Sequence, residues 1–418
     1  MDSMRYALFD IEVTLPFADL PLCPTDSGAA ITLRRKGVPI AFWMQNRNGS
    51  SVVKAGDVAE RAAAEAATRI LREALLEELM GGRARKAVPS LTIAICTRNR
   101  PDGVQRLLES LSRLSVSPDA SPGRSPMEIL VVDNAPSDDR TRDLVSQRPE
   151  VSYVREPRPG LNFARNLALR EARGELLAFL DDDVVVDRGW LEGLVDAWNT
   201  NRDAAAFTGQ VLPMELETEA QVVFEKRGGF RRGFERVRYG PVSPGDPLYP
   251  GGAGNFGAGA NMAFTTDILR ALGGFDEALD TGADVPGGGD LDVFYRTIRA
   301  GHALVYEPRF LVFHQHRRDM AALRRQYERS WGLGFMCYLT KCLKTDPERR
   351  INLVRLTLWW FSNHLGGLIA HLANRARHRE HVPPSLLAGE LWGGVVGLLG
   401  GYGRSQRRVE RLRRQALG

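Results

Sequence analysis

Cysteine is scarce. The four in 418 residues, Cys23, Cys96, Cys337 and Cys342, are too few and too scattered for a disulfide framework or a zinc site, and they suit a reducing compartment. Met1 to Asp10 carries Arg5 and two acids but no long apolar stretch, so no signal peptide is expected and the cytoplasm is the expected location. An uninterrupted apolar run of bilayer length is also missing. The first strand-like run after residue 88 is followed by Thr97-Arg98-Asn99-Arg100-Pro101 rather than by a GxGxxG fingerprint, which removes the main support for a Rossmann dehydrogenase. The same segment lacks the glycine-rich basic loop that a nucleotidyltransferase ordinarily carries there.

Acidic residues, in contrast, are concentrated. Asp181-Asp182-Asp183 directly follows the apolar run Leu176-Leu177-Ala178-Phe179-Leu180, so three carboxylates stand at the mouth of a buried strand. Adjacent acids repel one another, and a fold tolerates them where a cation neutralises them or water reaches them freely. An acidic strand-to-loop turn is the simpler alternative. The net charge is +5, with arginines crowded at Arg404, Arg407, Arg408, Arg411, Arg413 and Arg414 and again at Arg231, Arg232, Arg236 and Arg238. Such clusters suit phosphates or lipid headgroups, and a solvated basic tail is the alternative for the terminus.

Periodicity divides the chain into three. Residues 1–88 read as a small N-terminal α+β module. Ile31 to Arg35 and Val38 to Trp43 flank Lys36-Gly37 as a hairpin, Pro39 confines the second strand to an edge, and Asp57 precedes an Ala-rich helix with Ile70, Leu71, Leu75, Leu76 and Leu79. Gly81 to Lys86 is the expected linker. Residues 89–340 alternate strand and helix: strands at Leu91 to Cys96, Ile129 to Val132, Val151 to Val154 and Leu176 to Leu180, with helices between them. That order implies an α/β fold with a mainly parallel sheet, whose ligand lies beyond the carboxyl ends of the strands. Thr97, Arg98, Asp133 and Asp181 to Asp183 all fall there. Residues 240–260, dense in Gly and Pro, are expected to be a functional loop or lid. Residues 341–418 form a helical region with a basic tail, in which Ile351, Val354, Leu358, Phe361, Leu365, Leu368 and Leu372 make an apolar stripe widened by Trp359 and Trp360. Arg355, Asn363 and His364 interrupt its apolar length, and Glu390 interrupts the next segment. A domain-packing or interfacial helix is therefore expected, which would set the protein peripherally on the inner face of the cytoplasmic membrane.

Several short motifs, in order, carry a resemblance. They are Ile93 to Arg100, Val131-Val132-Asp133-Asn134, Gly160-Leu161-Asn162-Phe163-Ala164-Arg165-Asn166, Phe179 to Asp183, Gly259-Ala260-Asn261-Met262, Gly273-Gly274-Phe275-Asp276 and Gly288-Gly289-Asp290-Leu291-Asp292. Together, from about Pro89 to Tyr338, they resemble inverting glycosyltransferases of family 2, which adopt the nucleotide-binding GT-A fold. The resemblance implies a nucleotide-sugar donor, expected to be a UDP-sugar, and a polysaccharide, glycolipid or lipid-linked acceptor, with a membrane surface as a further candidate partner and no nucleic acid.

It also implies roles. Asp183 would ligate Mg²⁺ or Mn²⁺, Asp181 would face ribose or sugar hydroxyls, and Asp182 would support them. Asp133 would read the base, Thr97, Arg98 and Arg100 would cradle base and phosphates, and Arg165 and Asn166 would contact the nucleotide, with Asn261 in the same donor site. His314 and His316, alternating at the end of a strand-like run, would complete the metal shell or meet the diphosphate, His314 being preferred. The family's proton acceptor comes from a Glu-Asp pair. Here the Glu position is Gly289, so Asp290 is expected to be the base and Asp292 its support or a helix N-terminal acid. That departure leaves room for a second reading, a catalytically silent protein that binds sugar nucleotides or glycans.

Overall fold

The computed structural model describes residues 4–79, 87–114, 127–243, 245–372 and 383–415. The linker expected at Gly81 to Lys86 and the Ser/Pro-rich connection 115–126 lie outside them.

Strands β1 (Arg5–Glu12), β2 (Leu20–Pro21), β3 (Asp26–Arg35), β4 (Val38–Asn46) and β5 (Val52–Val53) precede helix α1 (Ala55–Leu79). β3 and β4 form the expected antiparallel hairpin, and β1 joins β3 in parallel, so Pro39 sits on an edge strand. The outward side of Pro39 therefore has no ladder bond to lose. Ile31, Leu33, Ile40 and Trp43 pack against Val58, Ala62 and Ala66 of α1, a core of its own. Arg34 leaves this core in the other direction. Its side chain is almost fully buried, bonds Asp10 at 2.7 Å, and reaches Asp187 at 2.6 Å.

The larger sheet is built from β6 (Leu91–Thr97), β7 (Met127–Asn134), β8 (Val151–Glu156), β9 (Leu176–Asp181), β10 (Val184–Val186), β11 (Ala204–Pro213), β12 (Val237–Tyr239), β13 (Asn261–Thr265) and β14 (Ala303–His314). Its order is β10-β14-β11-β13-β9-β6-β7-β8, with β12 on β14. The half containing β9, β6, β7 and β8 is wholly parallel, and β13 enters antiparallel beside β9. Covered on both faces, β6 is buried along its whole length, which explains its unbroken apolar sequence. The crossovers are α2 (Pro101–Leu111), α3 (Arg140–Ser146), α4 (Leu161–Glu171), α5 (Trp190–Thr200), α6 (Glu219–Lys226), α7 (Thr266–Ala271) and α8 (Gly289–Arg299). One face of the sheet packs Val104, Leu107, Trp190 and Phe310; the other packs Phe179, Phe264, Phe275 and Phe294.

The C-terminal helices are α9 (Met320–Arg325), continued by a π-helical stretch Gln326–Gly334, then α10 (Phe335–Thr345), α11 (Arg350–Leu372), α12 (Pro384–Val396) and α13 (Tyr402–Gln415). Here the apolar stripe falls largely on the exposed side of α11. Ile351, Val354, Leu358, Trp359 and Leu365 are exposed, while the inward face of α11 carries Leu353, Leu356, Trp360 and His364. His364 and Glu390, which looked like interruptions, are buried together: Nε2 of His364 lies 3.2 Å from Glu390, whose other oxygen accepts from Arg227 at 2.6 Å. The Gly/Pro-rich 240–260 segment is packed rather than free over much of its length, with Tyr249, Ala253 and Phe256 in the core.

Candidate active site

The carboxyl ends of β6, β7 and β9 form one edge, and the acids predicted from sequence gather along it. Asp133 ends β7 fully buried. One oxygen accepts from the Tyr153 hydroxyl at 3.0 Å and the other has no protein partner. Burial pushes its pKa up, Tyr153 and Arg155 opposing. A buried acceptor without a donor is costly to a fold, and a ring N–H of a nucleobase would satisfy it. Beside it, the Asn134 side chain accepts from Gly160 N and donates to Arg158 O, fixing the turn into α4.

The three aspartates divide their work. Asp182 is buried and accepts from the Thr97 hydroxyl at 2.7 Å and from Arg100 at 2.9 Å, so it braces the edge from within. Asp183 takes Arg100 on one oxygen at 3.1 Å, while the other lies 3.3 Å from His314 Nε2. Burial alone would raise the Asp183 carboxyl, but His314, Arg100 and Arg317 outweigh it and hold it well below the usual carboxylate range. Asp181 goes the other way, raised to about 7 by burial and by its acidic neighbours against the pull of Arg165 and His314. The pairing of β10 with the end of β14, Val184 opposite His314, sets the Asp183–His314 register.

His316 departs from expectation. Nδ1 meets His314 Nδ1 at 2.9 Å and Nε2 meets Glu225 at 2.8 Å, so both ring nitrogens are engaged away from Asp183 and neither is left for a metal. Its pKa is lowered, by burial first. Among the described residues no group of three or more His, Cys, Asp or Glu is arranged to hold a metal by itself. Asp183 and His314 are two suitable donors, and a hard cation commonly completes such a pair with substrate phosphates and water.

Arg165, in α4, is the hub of the edge. Its buried guanidinium donates to Asp280 at 2.7 Å, to Asn162 at 3.2 Å and to Gly259 O at 3.3 Å, and stands 3.6 Å from Asp181. Gly259 N in turn donates to Asp290 at 2.9 Å, so one residue links the aspartate cluster to the start of α8. Asp290 is half-buried and also accepts from Leu291 N at 2.9 Å. Burial first, then the charge of Asp280, raise its pKa, with Arg165 opposing.

Two other expectations, for Asn166 and Asn261, are not met by the positions of the side chains, and Asp292 takes the alternative expected of it, an acid in the first turn of α8. Asn166 spends its amide on both backbone groups of Phe275, at 2.8 and 2.9 Å, and on Glu277. Asn261 is fully buried between Trp190 Nε1 and the carbonyls of Phe310 and Gln210. Asp292 is turned inward to Arg296 at 2.8 Å and Lys341 at 2.6 Å. Each is saturated by protein partners, the two asparagines by partners distant in sequence, and each fixes a loop or helix behind the site. Arg98 is exposed at the mouth of β6. Tyr153 and Asp280 are not legible in the sequence: a tyrosine within a strand and an aspartate in a Gly-rich turn carry no local signature.

Two family models match this chain: Glycosyl transferase family 2 over residues 92–239 and Glycosyl transferase family group 2 over residues 176–378. Over residues 92–378 the chain resembles glycosyltransferase family 2. Among curated relatives, the pre-mycofactocin glycosyltransferase of Mycobacterium tuberculosis is 30% identical over 241 residues, 57% of this chain and 46% of the relative. The succinoglycan biosynthesis protein ExoM of Rhizobium meliloti is 27% identical over 257 residues, 57% of this chain and 72% of the relative. The chain thus spans about half the length of the mycobacterial relative. A solved mannosyltransferase from Pyrobaculum calidifontis, in complex with GDP-mannose and Mn²⁺, aligns with TM-score 0.47 at 17% identity, covering 82% of this chain and 97% of that one. The α/β architecture is of the GT-A type, with the mixed sheet and helical C-terminal region described above.

Proposed function

We propose that this protein is an inverting glycosyltransferase that moves a sugar from a UDP-sugar to a hydroxyl of a polysaccharide, glycolipid or lipid-linked acceptor. The observation that carries the reading is the Arg165 hub, which ties the aspartate cluster to Gly259 and, through Gly259 N, to Asp290. Donor-side and acceptor-side carboxylates thereby share one rigid frame. In this reading residues 89–340 are the catalytic domain, 1–88 an accessory module and 341–418 a helical region that meets the acceptor's surroundings.

The Asp133 carboxylate takes the base N–H, and Thr97 with Arg100 holds the edge that receives the diphosphate. Asp183 and His314 would hold Mg²⁺ or Mn²⁺, which when bound stabilises the charge gathering on the leaving diphosphate. Asp290 takes the proton of the acceptor hydroxyl as its oxygen bonds to the anomeric carbon. The bond from that carbon to the diphosphate breaks, its electron pair leaving with the nucleoside diphosphate. A carboxyl with raised proton affinity is a stronger base, provided it is ionised at working pH. The test is release of nucleoside diphosphate from a panel of nucleotide sugars with Mn²⁺ and candidate acceptors. Release above the donor-only rate supports the reading, and its absence across the panel favours a binding protein.

No helix among the described residues is long and apolar enough to cross a membrane. The outward faces of α11 and α12 nonetheless present Ile351, Val354, Leu358, Trp359, Leu365, Trp392 and Val395, the stretch Gly397–Gly401 after α12 presents Leu399, and α13 exposes Arg404, Arg407 and Arg411. Exposed apolar side chains that include tryptophan, together with exposed arginines, suit an anionic bilayer surface. With roughly 1.5–3 kcal/mol for each large side chain buried, Leu358→Glu with Trp359→Glu should cut sedimentation with phosphatidylglycerol vesicles at least about tenfold. The melting temperature should stay nearly unchanged, since both residues face outward. Undiminished sedimentation would remove the membrane from this picture.

A further inference from the structure

Gly289 stands where the family motif has Glu, and the space beside it is not empty. A Cβ built on Gly289 would come within 2.7 Å of Asp280 Oδ2 and 2.4 Å of Asn162 Nδ2. Asp280 reaches this place from the turn before α8, in the left-handed region at φ 80°, where a non-glycine residue is uncommon. The turn is held by Thr281 N donating to Asp280 Oδ1 at 2.8 Å and by Asp280 N donating to Gly287 O at 3.3 Å. Its Oδ2 is the 2.7 Å acceptor for Arg165.

We propose that Asp280 supplies the second carboxylate of the proton-transfer site, acting as a positioning residue in place of the side chain that Gly289 lacks. The pair is thus divided between two segments: Asp290 from the start of α8, Asp280 from the turn that precedes it. Gly289 leaves room for the exchange. This rests on the reading of Asp290 as the proton acceptor. Asp280 acts on it in two ways. It anchors Arg165, whose contact with Gly259 sets the amide that Asp290 accepts, and its negative charge strengthens the hold of Asp290 on a proton. The charged groups facing Asp290 are Asp280 from the turn, Arg165 from α4 and Arg232 from the segment before β12. Arg165 opposes that hold directly, and Arg232, held by Gly254 O at 2.7 Å, adds positive charge on another side.

The test is Asp280→Asn, which keeps the shape and removes the charge. The acidic limb of the kcat/KM profile marks protonation of the free enzyme's base, so losing a neighbouring negative charge should move it to lower pH, by about half a unit to one unit. Turnover at pH 7 should fall about twofold to threefold as the weaker base removes the proton less well. The Asp290 carboxyl, followed by ¹³C NMR and assigned by its disappearance in Asp290→Asn, should titrate at correspondingly lower pH. The NMR arm needs no substrate, so it is read even if no donor turns over, a result that would count against the proposed activity and not against Asp280. Should Asp280→Asn fail to melt cooperatively, Gly289→Ala, which displaces Asp280 without removing it, carries the same measurement with the same expected direction. A midpoint for Asp290 that does not move in the folded variant overturns the assignment.

Discussion

Asp290→Asn is expected to lower turnover by about three orders of magnitude while leaving donor binding almost intact. General-base catalysis contributes roughly 10²–10⁴-fold, and an amide in the same place cannot take the acceptor's proton. The replacement is nearly isosteric. One of its two backbone contacts, from Gly259 N or from Leu291 N, can still be accepted by the amide oxygen, so local structure is kept. The donor pocket proposed at Asp133 and Arg100 lies on other elements. The measurement is nucleoside diphosphate release alongside thermal stabilisation by UDP and Mn²⁺. A variant that still turns over at the wild-type rate would show that the proton leaves by another route, whatever the fate of the donor-site assignments.

Asp183→Asn should produce the second large loss, of about two orders of magnitude or more, with a different signature. An amide oxygen is a poor substitute for a carboxylate toward a hard cation, and about 3 kcal/mol of lost charge stabilisation corresponds to roughly a hundredfold in rate. The affinity for Mn²⁺ in the presence of UDP should weaken by a similar factor, whereas in Asp290→Asn it should not change. Calorimetric titration with Mn²⁺ distinguishes the two. Equal Mn²⁺ affinity in wild type and Asp183→Asn would move the cation elsewhere.

Strand ends were the legible part of this site. Thr97, Asp133 and Asp181 to Asp183 could be placed at one edge because a buried parallel strand has a recognisable apolar sequence and a defined exit. The amides were not legible in the same way. Asn166 and Asn261 stand in the right motifs, but whether an amide faces a ligand or closes a loop depends on partners about fifty to a hundred residues away, such as Phe275 and Phe310. His316 shows the same limit. Alternation along the chain put it on one side with His314, and only packing against α6 brought Glu225 to its second nitrogen.

For α11 the spacing of apolar residues located the helix but did not tell its inner face from its outer one. Both faces are apolar, so periodicity had two solutions, and the buried one includes a histidine whose charge partner, Glu390, comes from another helix. The replacement of a Glu by Gly289 reads as a loss in sequence. In space it is an exchange, because the turn carrying Asp280 folds back over α8.

The ion pair between Arg34 and Asp187 has a mechanical meaning for the donor site. Asp187 lies four residues beyond Asp183, just past β10, and its carboxylate also accepts from Gly189 N at 2.9 Å as the chain enters α5. The N-terminal sheet therefore works as a buttress on the segment that carries Asp183, the proposed cation ligand. Removing that sheet would strand a buried carboxylate without the guanidinium it meets now, a loss of about 3–5 kcal/mol for a broken buried pair. The slack would appear first at Asp183, so a shortened enzyme would grip its donor loosely well before it lost its fold.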